Sequence, residues 1–325
     1  MRTIDWVDGY PLIVDQTALP DDVRFVSLST VDAVIDAIRR LAVRGAPALG
    51  VTGAMGVALA ARLGGDIDGA VRRIRAARPT AVNLARGVDR AAVYLPDGFE
   101  AVLAEALAIR DAELIASQEM GRRGAVLVNE LAGDHIRVLT HCNTGGLATV
   151  EYGTALACVR TLHERGQLAE VLVSETRPLL QGARLTTWEL GELGIGHRLI
   201  ADSAGPFLMA RGQVDAVVLG ADRICANGDV VNKIGSFMHA LGAQAAGIPF
   251  VVVAPESTVD MEAKSGSDVD IEERDGSEIL GFAGRRTAPR GTVGLNPAFD
   301  VTPYALITAV VTDARVVRFD QGDRP

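Results

Sequence analysis

Five short apolar runs recur between residues 136 and 255, and they constrain the fold more than any other feature of the chain. The runs are IRVLTHC, EVLVSET, HRLIADS, VDAVVLGAD and PFVVVAP, and a loop follows each of them. A segment with helical spacing follows every run except the last. Short β-rich runs that alternate with helical segments are typical of a parallel sheet covered by helices on both faces. The sequence therefore predicts an α/β protein with a mainly parallel sheet.

The chain before these runs has a different pattern. After a β-like start over 1–19 it is mainly helical to about residue 120. Thr30 is a candidate cap for one helix, and Pro47 suits the first turn of another. A long helical pattern over 101–132 is expected to link two domains. We predict a mostly helical N-terminal domain with a small β-sheet over 1–120, and a linker helix with a second domain over 121–325.

Charge, cysteines and motifs exclude several classes of protein. The formal net charge of −9 argues against bulk electrostatic binding of nucleic acid. The chain has three cysteines and no CxxC pair, which favours reduced thiols in a cytosolic protein over a disulfide framework. Neither G-x-G-x-x-G after a strand nor G-x-x-x-x-G-K-[ST] is present, so neither a dinucleotide nor a P-loop nucleotide site is supported.

No segment resembles a membrane anchor or a signal peptide. The N-terminus lacks the apolar core of a signal peptide. The longest uncharged run, 45–61, contains four glycines and a proline, and it falls short of the roughly 20 apolar residues that a spanning helix needs. We therefore expect a soluble cytoplasmic protein without a membrane partner.

Polar residues follow the candidate strands at the points where the strands end. In an open parallel sheet, ligands bind beyond the carboxyl ends of the strands. Because four candidate strands end in this way, we expect a functional site at one edge of the sheet. The residues are Cys142, Glu175 with Thr176 and Arg177, Asp202 with Ser203, and Asp222 with Arg223.

Cys142 lies where a strand enters a Gly-Gly turn, in LTHCNTGG. A free cysteine is often a buried packing residue, and that interpretation stays open. Metal binding lacks support, because the histidines show no HxxxH spacing and the cysteines are not paired. Redox exchange lacks a nearby second cysteine. The remaining hypothesis is a thiol that transfers protons at neutral pH.

Asp222 ends the apolar run VDAVVLGAD. It is either a structural carboxylate, paired with Arg223 or capping the next turn, or a general acid whose pKa is raised by apolar surroundings. In the following segment, ICANGDVVNKIG, Asn227 and Gly228 suit a turn and Asp229 suits a helix cap. That cap would place Asn232 and Lys233 in the first turn of a helix, where amide groups and a cation suit a phosphate.

Two arginines precede helix starts that are marked by proline. Arg44 lies in VRGAPALG and Arg78 lies in ARPTAVNL. Most arginines are surface residues, so each is a candidate anion ligand only in combination with the other motifs.

Long motifs across the chain resemble those of the methylthioribose-1-phosphate isomerases. They are RGAPALG, ARPTAVNL, LTHCNTGGLATVEYGTAL, ETRPLLQGARLTTWEL, GADRICANGDVVNKIG, IEER and NPAFDVTP, in the family's order. The wider group includes ribose-1,5-bisphosphate isomerases and the regulatory subunits of a eukaryotic translation-initiation exchange factor. The resemblance implies a Rossmann-like catalytic domain after the N-terminal domain, and a homodimer. It implies neither a metal nor an organic cofactor.

The resemblance also implies an activity and a set of site residues. The reaction would convert 5-methylthioribose 1-phosphate into 5-methylthioribulose 1-phosphate, in L-methionine salvage. Two residues match the family's catalytic thiol and carboxyl, namely Cys142 and Asp222. Seven match its substrate-binding positions, namely Arg44, Gly45, Ala46, Arg78, Gln181, Asn232 and Lys233.

The sequence departs from the family pattern around these positions. Ala85, Arg86 and Gly87 stand where aromatic residues are usual, as does Leu179. A pocket without these aromatics suits 5-deoxyribose 1-phosphate as well as the methylthio sugar, and Arg86 keeps ribose 1,5-bisphosphate open. A non-catalytic regulatory module is a further alternative, although such a module would not need both Cys142 and Asp222.

Overall fold

The computed structural model describes residues 1–79, 81–282 and 284–325. The chain divides into two compact units, one of residues 1–119 with 143–157 and the other of 120–142 with 158–325. The predicted α/β class with a mainly parallel sheet is confirmed.

The first unit combines a small antiparallel sheet with helices. The sheet has the order β1-β2-β3, formed by Ile4–Val7, Tyr10–Val14 and Phe25–Ser27. The helices are α1 (Val31–Arg39), α2 (Ala46–Leu63), α3 (Ile67–Arg75), α4 (Val82–Ala92) and the start of α5 (Phe99–Ala132). Thr30 caps α1 by accepting the N–H of Ala33, and Pro47 lies in the first turn of α2, both as predicted.

Helix α2 forms the centre of the first unit, where residues 47–60 are all buried. A Cβ on Gly87 of α4 would lie 2.1 Å from the carbonyl oxygen of Gly50. Glycine at both positions therefore lets α2 and α4 pack backbone to backbone. Within the described residues, α2 is the one helix long and apolar enough to cross a membrane, but 78% of it is buried inside the protein, as in the core helix of a globular domain.

A seven-stranded sheet forms the core of the second unit. Its strand order is β16-β15-β10-β7-β4-β5-β6, and all neighbours are parallel except β15 and β16. The five predicted strands are confirmed as β4 (Ile136–Thr140), β5 (Leu168–Ser174), β6 (His197–Ile200), β7 (Ala216–Leu219) and β10 (Phe250–Val253). The pair β15 (Ala309–Val311) and β16 (Val316–Arg318) extends the sheet at one edge. The accompanying helices are α6 (Ala155–Glu164), α7 (Thr187–Glu192), α8 (Ala204–Ala210) and α9 (Ser236–Ala246).

The second unit also contains a smaller sheet that the sequence did not predict. It has the order β11-β8-β9-β14, formed by Val259–Asp260, Arg223–Cys225, Val230–Lys233 and Phe299–Thr302. A short antiparallel pair, β12 (Gly281–Phe282) and β13 (Arg285–Arg286), lies apart from it.

The prediction of a helix capped by Asp229 is wrong. Residues Val230–Lys233 form strand β9, and α9 begins only at Ser236. Gly228, with φ 93°, makes the turn of a hairpin in which β9 pairs with β8 on one side and β14 on the other. The two consecutive valines favour a strand, and the distant partner β14 completes it. Asn232 and Lys233 therefore extend from a sheet, not from a helix.

Candidate active site

The sheet brings the segments of Cys142 and Asp222 to the same side, at the carboxyl ends of its parallel strands. Strands β4 and β7 are parallel neighbours, with Val138 opposite Ala216 and Leu139 opposite Val217. Cys142 follows the end of β4 by two residues, and Asp222 follows the end of β7 by three. The edge is the one predicted from the strand ends, where ligands bind in parallel sheets.

The backbone of Cys142 is held in an unusual conformation. Its φ is 63°, in the left-handed region that few residues other than glycine adopt. Its N–H donates to Thr176 Oγ1 at 2.8 Å, and its carbonyl accepts from Thr186 Oγ1 at 2.6 Å. Cys142 is 8% exposed. Backbone strain that the surroundings hold in place is common at active sites, so these bonds set Cys142 apart from an ordinary core cysteine.

The segment that holds Cys142 is itself strained. Thr176 has φ 65° and Leu180 has φ 58°, and a positive φ is rarer still for a β-branched residue such as threonine. The backbone N–H groups of Thr176 and Arg177 both donate to the carboxylate of Asp202, each at 2.7 Å. Asp202 thus fixes the loop after β5. The same loop carries Thr176 Oγ1, which accepts the Cys142 N–H.

Two buried histidines pack beneath this loop. The His141 and His239 rings lie 5.0 Å apart, edge to face. Burial lowers the pKa of His141, and burial together with His141 holds the pKa of His239 well below its usual range. His141 Nε2 donates to the carbonyl of Ile234 at 2.8 Å, which requires a proton on Nε2. Both rings are therefore uncharged near pH 7 and serve as packing groups.

The other two cysteines have different surroundings. Burial raises the pKa of Cys158 to about 12 and that of Cys225 to about 11. Both are 0% exposed, and a protonated thiol is a poor nucleophile. They are packing residues, as free cysteines often are.

Asp222 lies at the start of the β8–β9 hairpin. Its backbone N–H donates to the carbonyl of Val231 at 3.0 Å. The residue is exposed, which does not fit the apolar surroundings that one of the two interpretations of the sequence required. The reason is that β7 ends at Leu219, so Asp222 lies beyond the buried part of the strand. The guanidinium of Arg223 donates to Asp260 at 2.9 Å.

Gln181 lies in the same loop as Thr176, at the start of a wide helical turn over Gly182–Thr186. It is 5% exposed, and its Oε1 accepts no hydrogen bond from any residue that the structure describes. A Cβ on Gly182 would lie 1.8 Å from the carbonyl oxygen of Ser174, so glycine lets this turn approach β5 closely. A buried acceptor without a donor costs free energy unless a ligand satisfies it, which fits the predicted binding role of Gln181.

Asn232 and Lys233 lie on β9. Asn232 donates to Ser236 Oγ at 2.9 Å, and Lys233 Nζ donates to the carbonyl of Ala298 at 2.8 Å. The Lys233 ammonium also lies 4.1 Å from the centre of the Phe299 ring. The strand and the aromatic ring thus restrict a side chain that is otherwise flexible.

Asp300 is a half-buried acidic residue that the sequence did not single out. Its carboxylate accepts from the N–H of Gly235 at 2.7 Å and from that of Phe237 at 3.2 Å. Burial raises the pKa of Asp300 to about 6. These amides belong to the start of α9, so this helix terminus binds an internal carboxylate. The one available signal was the carboxylate within the motif NPAFDVTP.

In the first unit, Arg44, Gly45 and Ala46 form the start of α2. Arg44 is buried, and its guanidinium donates to the side-chain oxygen of Asn143 and to the Asn143 carbonyl. Gly45 has φ 94°, and a Cβ there would lie 2.4 Å from the carbonyl oxygen of Ala148. No side chain caps this helix among the described residues. A helix N-terminus beside a fixed guanidinium suits an anion.

Arg78 and the residues that replace family aromatics complete the predicted positions. Arg78 is half-buried in the connection after α3, and Thr80 of the same motif lies outside the described residues. Of the residues that replace family aromatics, Gly87 provides the close approach to α2 and Arg86 is exposed. Leu179 is half-buried in the loop of Thr176.

A family comparison identifies the class of the chain. Residues 42–318 match the model of the initiation factor 2 subunit family. The chain belongs to this family.

Individual relatives carry more specific names. A methylthioribose-1-phosphate isomerase of Anaeromyxobacter sp. is 51% identical over 98% of this chain and 94% of its own. A 5-deoxyribose 1-phosphate isomerase of Moorella thermoacetica is 47% identical over 97% and 93%. A probable bifunctional methylthioribose-1-phosphate isomerase/methylthioribulose-1-phosphate dehydratase of Nocardia farcinica is 54% identical over 98% of this chain, which spans 60% of that protein's length.

Two solved structures share the fold of this chain. The 5-methylthioribose 1-phosphate isomerase of Pyrococcus horikoshii has a TM-score of 0.91 at 41% identity, covering 98% of this chain and 92% of its own. The translation initiation factor eIF-2B, subunit delta, of A. fulgidus has a TM-score of 0.86 at 41% identity, covering 98% and 96%. The resemblance to the methylthioribose-1-phosphate isomerases, and with it the prediction of an isomerase, is confirmed.

Proposed function

We propose that the protein converts 5-methylthioribose 1-phosphate into 5-methylthioribulose 1-phosphate. The observation that carries the proposal is the clamp on Cys142, whose left-handed backbone is bonded by Thr176 and Thr186 at the sheet edge that also carries Asp222. The names of relatives such as the Anaeromyxobacter isomerase support this substrate.

The chemistry of the substrate explains the need for two proton-handling groups. The phosphate on the anomeric oxygen prevents spontaneous ring opening, so an acid must assist it. Asp222 is the proposed acid: it gives a proton to the ring oxygen as the C1–O bond breaks. Hydrogen then moves from C2 to C1, and the C2 hydroxyl gives its proton to the Asp222 carboxylate, which restores the acid as C2 becomes the ketone. Cys142 is proposed to assist this hydrogen movement, either as a proton through an enediolate or as a hydride.

Cationic groups are proposed to hold the phosphate. Arg44, buried and oriented by Asn143, lies next to the start of α2, where the helix dipole also favours an anion. Arg78 and Lys233 supply further positive charge, which would stabilise the charge that develops during the reaction. Gly45, Ala46, Gln181 and Asn232 complete the proposed substrate-binding set.

The substituent at C5 separates two candidate substrates. The Moorella relative, named for 5-deoxyribose 1-phosphate, is nearly as similar as the methylthio enzymes. The site also lacks aromatics at Ala85 and Leu179, where the resembling family has them. 5-Deoxyribose 1-phosphate is therefore the second candidate. Both reactions would use the same catalytic pair.

We also propose L-methionine salvage as the pathway, the cytoplasm as the location and a homodimer as the assembly. These follow from the predicted family and from the reduced cysteines. A non-catalytic regulatory module is the alternative class, and one similar structure is named as a translation initiation factor, eIF-2B subunit delta.

A substrate panel tests the proposal. The purified protein is incubated with 5-methylthioribose 1-phosphate, 5-deoxyribose 1-phosphate and ribose 1,5-bisphosphate, and ketose formation is measured. We expect the highest kcat/KM with the methylthio sugar. A preference for the deoxy sugar would change the proposed substrate, and no product from any of the three at high enzyme concentration would favour the regulatory module.

A further inference from the structure

We propose that Asp202 is a positioning residue for Cys142 and that it acts through Thr176. This inference rests on the proposed function, because it assigns Asp202 a part in the same site. Asp202 does not contact Cys142 in any described hydrogen bond, and none of the roles implied by the family resemblance includes it.

The carboxylate of Asp202 binds three donors on the loop and strand of β5. Oδ1 accepts from the Thr176 N–H at 2.7 Å and from the Ser174 hydroxyl, and Oδ2 accepts from the Arg177 N–H at 2.7 Å. Hydrogen bonds to a charged acceptor are stronger than those between neutral groups. Two consecutive amides on one carboxylate fix the backbone direction at Thr176.

That direction is one the chain would not adopt unaided. A β-branched residue at φ 65° is an outlier, and such strain persists only where the surroundings impose it. With the backbone in place, Thr176 Oγ1 donates to the Ser174 carbonyl at 3.0 Å and accepts the Cys142 N–H at 2.8 Å. The left-handed conformation of Cys142 thus depends on a second left-handed residue, which depends on Asp202.

The packing around Asp202 makes this chain of contacts rigid. His141 is 0% exposed, and its Nδ1 lies 3.9 Å from Asp202 Oδ1. His239 Nε2 lies 3.3 Å from the Ser174 hydroxyl, which donates to the same carboxylate. Since buried and hydrogen-bonded groups surround the loop on this side, loss of the carboxylate would change the backbone conformation of Thr176 and Cys142.

The test compares Asp202→Ala and Asp202→Asn with a matched carboxylate elsewhere. Asp215 is the control, because it also accepts a backbone N–H (Arg137, 2.8 Å) but at the opposite end of the sheet, next to the first residues of β4. Two quantities are measured in each folded variant: the alkylation rate of Cys142 by iodoacetamide, from peptide mass spectrometry, and kcat with KM for the sugar phosphate. The alkylation rates of the buried Cys158 and Cys225 show whether a variant loosens the whole fold.

For Asp202→Ala we expect Cys142 to alkylate at least about fivefold faster, because the backbone that holds the thiol in its buried position is no longer fixed by Thr176. We expect kcat to fall at least about tenfold, with KM changed much less, since misplaced catalytic groups slow chemistry. Asp202→Asn keeps one acceptor oxygen, so the increase in alkylation rate and the fall in kcat should both be smaller than in Asp202→Ala. Asp215→Asn should leave both near wild type.

Wild-type alkylation and kcat in Asp202→Ala would overturn the inference. If the alanine variant fails to fold, the asparagine variant decides, because a wild-type alkylation rate there would equally contradict the role. Alkylation needs no substrate, so the inference can hold or fail even where the wild-type protein turns over none of the sugars.

Discussion

Thr176 Oγ1 lies 2.8 Å from the backbone nitrogen of Cys142 and accepts its N–H. Both residues have a positive φ, and both are buried. The hydroxyl of one strained residue therefore holds the backbone of the other. The bond therefore fixes the position of a cysteine that lies in a loop.

Thr176→Val should remove the clamp with little change of volume. The N–H of Cys142 would lose its acceptor, which costs about 1–3 kcal/mol of stability when the group is buried. We expect kcat to fall at least about tenfold, because the thiol would no longer be held in place. The control is Thr52→Val, whose buried hydroxyl donates to Ala48 of its own helix. Equal kcat for both variants would refute the role of the clamp.

Gln181→Leu should separate binding from stability. The Oε1 of Gln181 is buried without a donor among the described residues, so an apolar side chain of similar size should leave the free energy of unfolding within about 1 kcal/mol of wild type. The same change should raise KM at least about tenfold, because the proposed substrate contact is lost. Urea unfolding and initial rates measure the two effects. A large loss of stability with unchanged KM would make Gln181 a structural residue.

Gly45→Ala should damage the start of α2 more than Gly64→Ala damages its end. Both glycines have a positive φ, so both changes introduce backbone strain. Only at Gly45 would the new Cβ meet backbone, 2.4 Å from the Ala148 oxygen, since nothing lies within 4 Å at Gly64. We expect the Gly45 variant to be about 2 kcal/mol less stable than the Gly64 variant. Equal Tm values would contradict this prediction and would show that the loop of Ala148 moves away from the new Cβ at little cost in free energy.

Asp300 should make stability depend on pH between 5 and 8. Burial raises its pKa to about 6, above the value of about 3.9 for an unfolded chain. Between these values the folded state binds a proton that the unfolded state lacks, so the contribution to stability is present at pH 4 and is lost as the pH rises through 6. The free energy of unfolding of wild type, minus that of Asp300→Asn, should therefore fall by about 1 kcal/mol from pH 5 to pH 8, since one pKa unit corresponds to about 1.4 kcal/mol.

Asp275→Asn is the control for this titration. Asp275 is exposed, and the backbone N–H of Ser277 lowers the pKa of its carboxyl. Its contribution to stability is lost only as the pH falls below about 4, so its difference from wild type should stay constant between pH 5 and pH 8. A difference for Asp300→Asn that is constant or rises over that range would contradict the raised pKa.

Local pattern predicted the parallel sheet, because its central strands are runs of buried β-branched and apolar residues such as FVVV at β10. It failed for β9. Four residues that include an asparagine and a lysine show no strand periodicity, and their partner β14 lies about 65 residues further along the chain. Short strands defined by distant partners are set by tertiary pairing, which the sequence pattern does not display.

The candidate site was predictable by position but not by contact. Cys142 and Asp222 stood out because they follow buried strands, and strand ends meet at one edge of a parallel sheet. The bonds from Asp202 to Thr176 and from Asp300 to Gly235 join residues 26 and 65 positions apart. The bond to Thr176 also depends on the positive φ of that residue, for which the sequence gives no signal. The exposure of Asp222 was missed because the buried strand was expected to extend three residues too far.

Turnover of the preferred sugar phosphate by wild type, Cys142→Ser and Asp222→Asn tests the central claim most directly. Both substitutions nearly preserve shape, so circular dichroism and thermal unfolding should match wild type. We predict that each folded variant loses at least about a hundredfold in kcat, the contribution typical of a general acid or base. Wild-type rates in either folded variant would contradict the assignment of that residue, and wild-type rates in both would remove Cys142 and Asp222 from the mechanism.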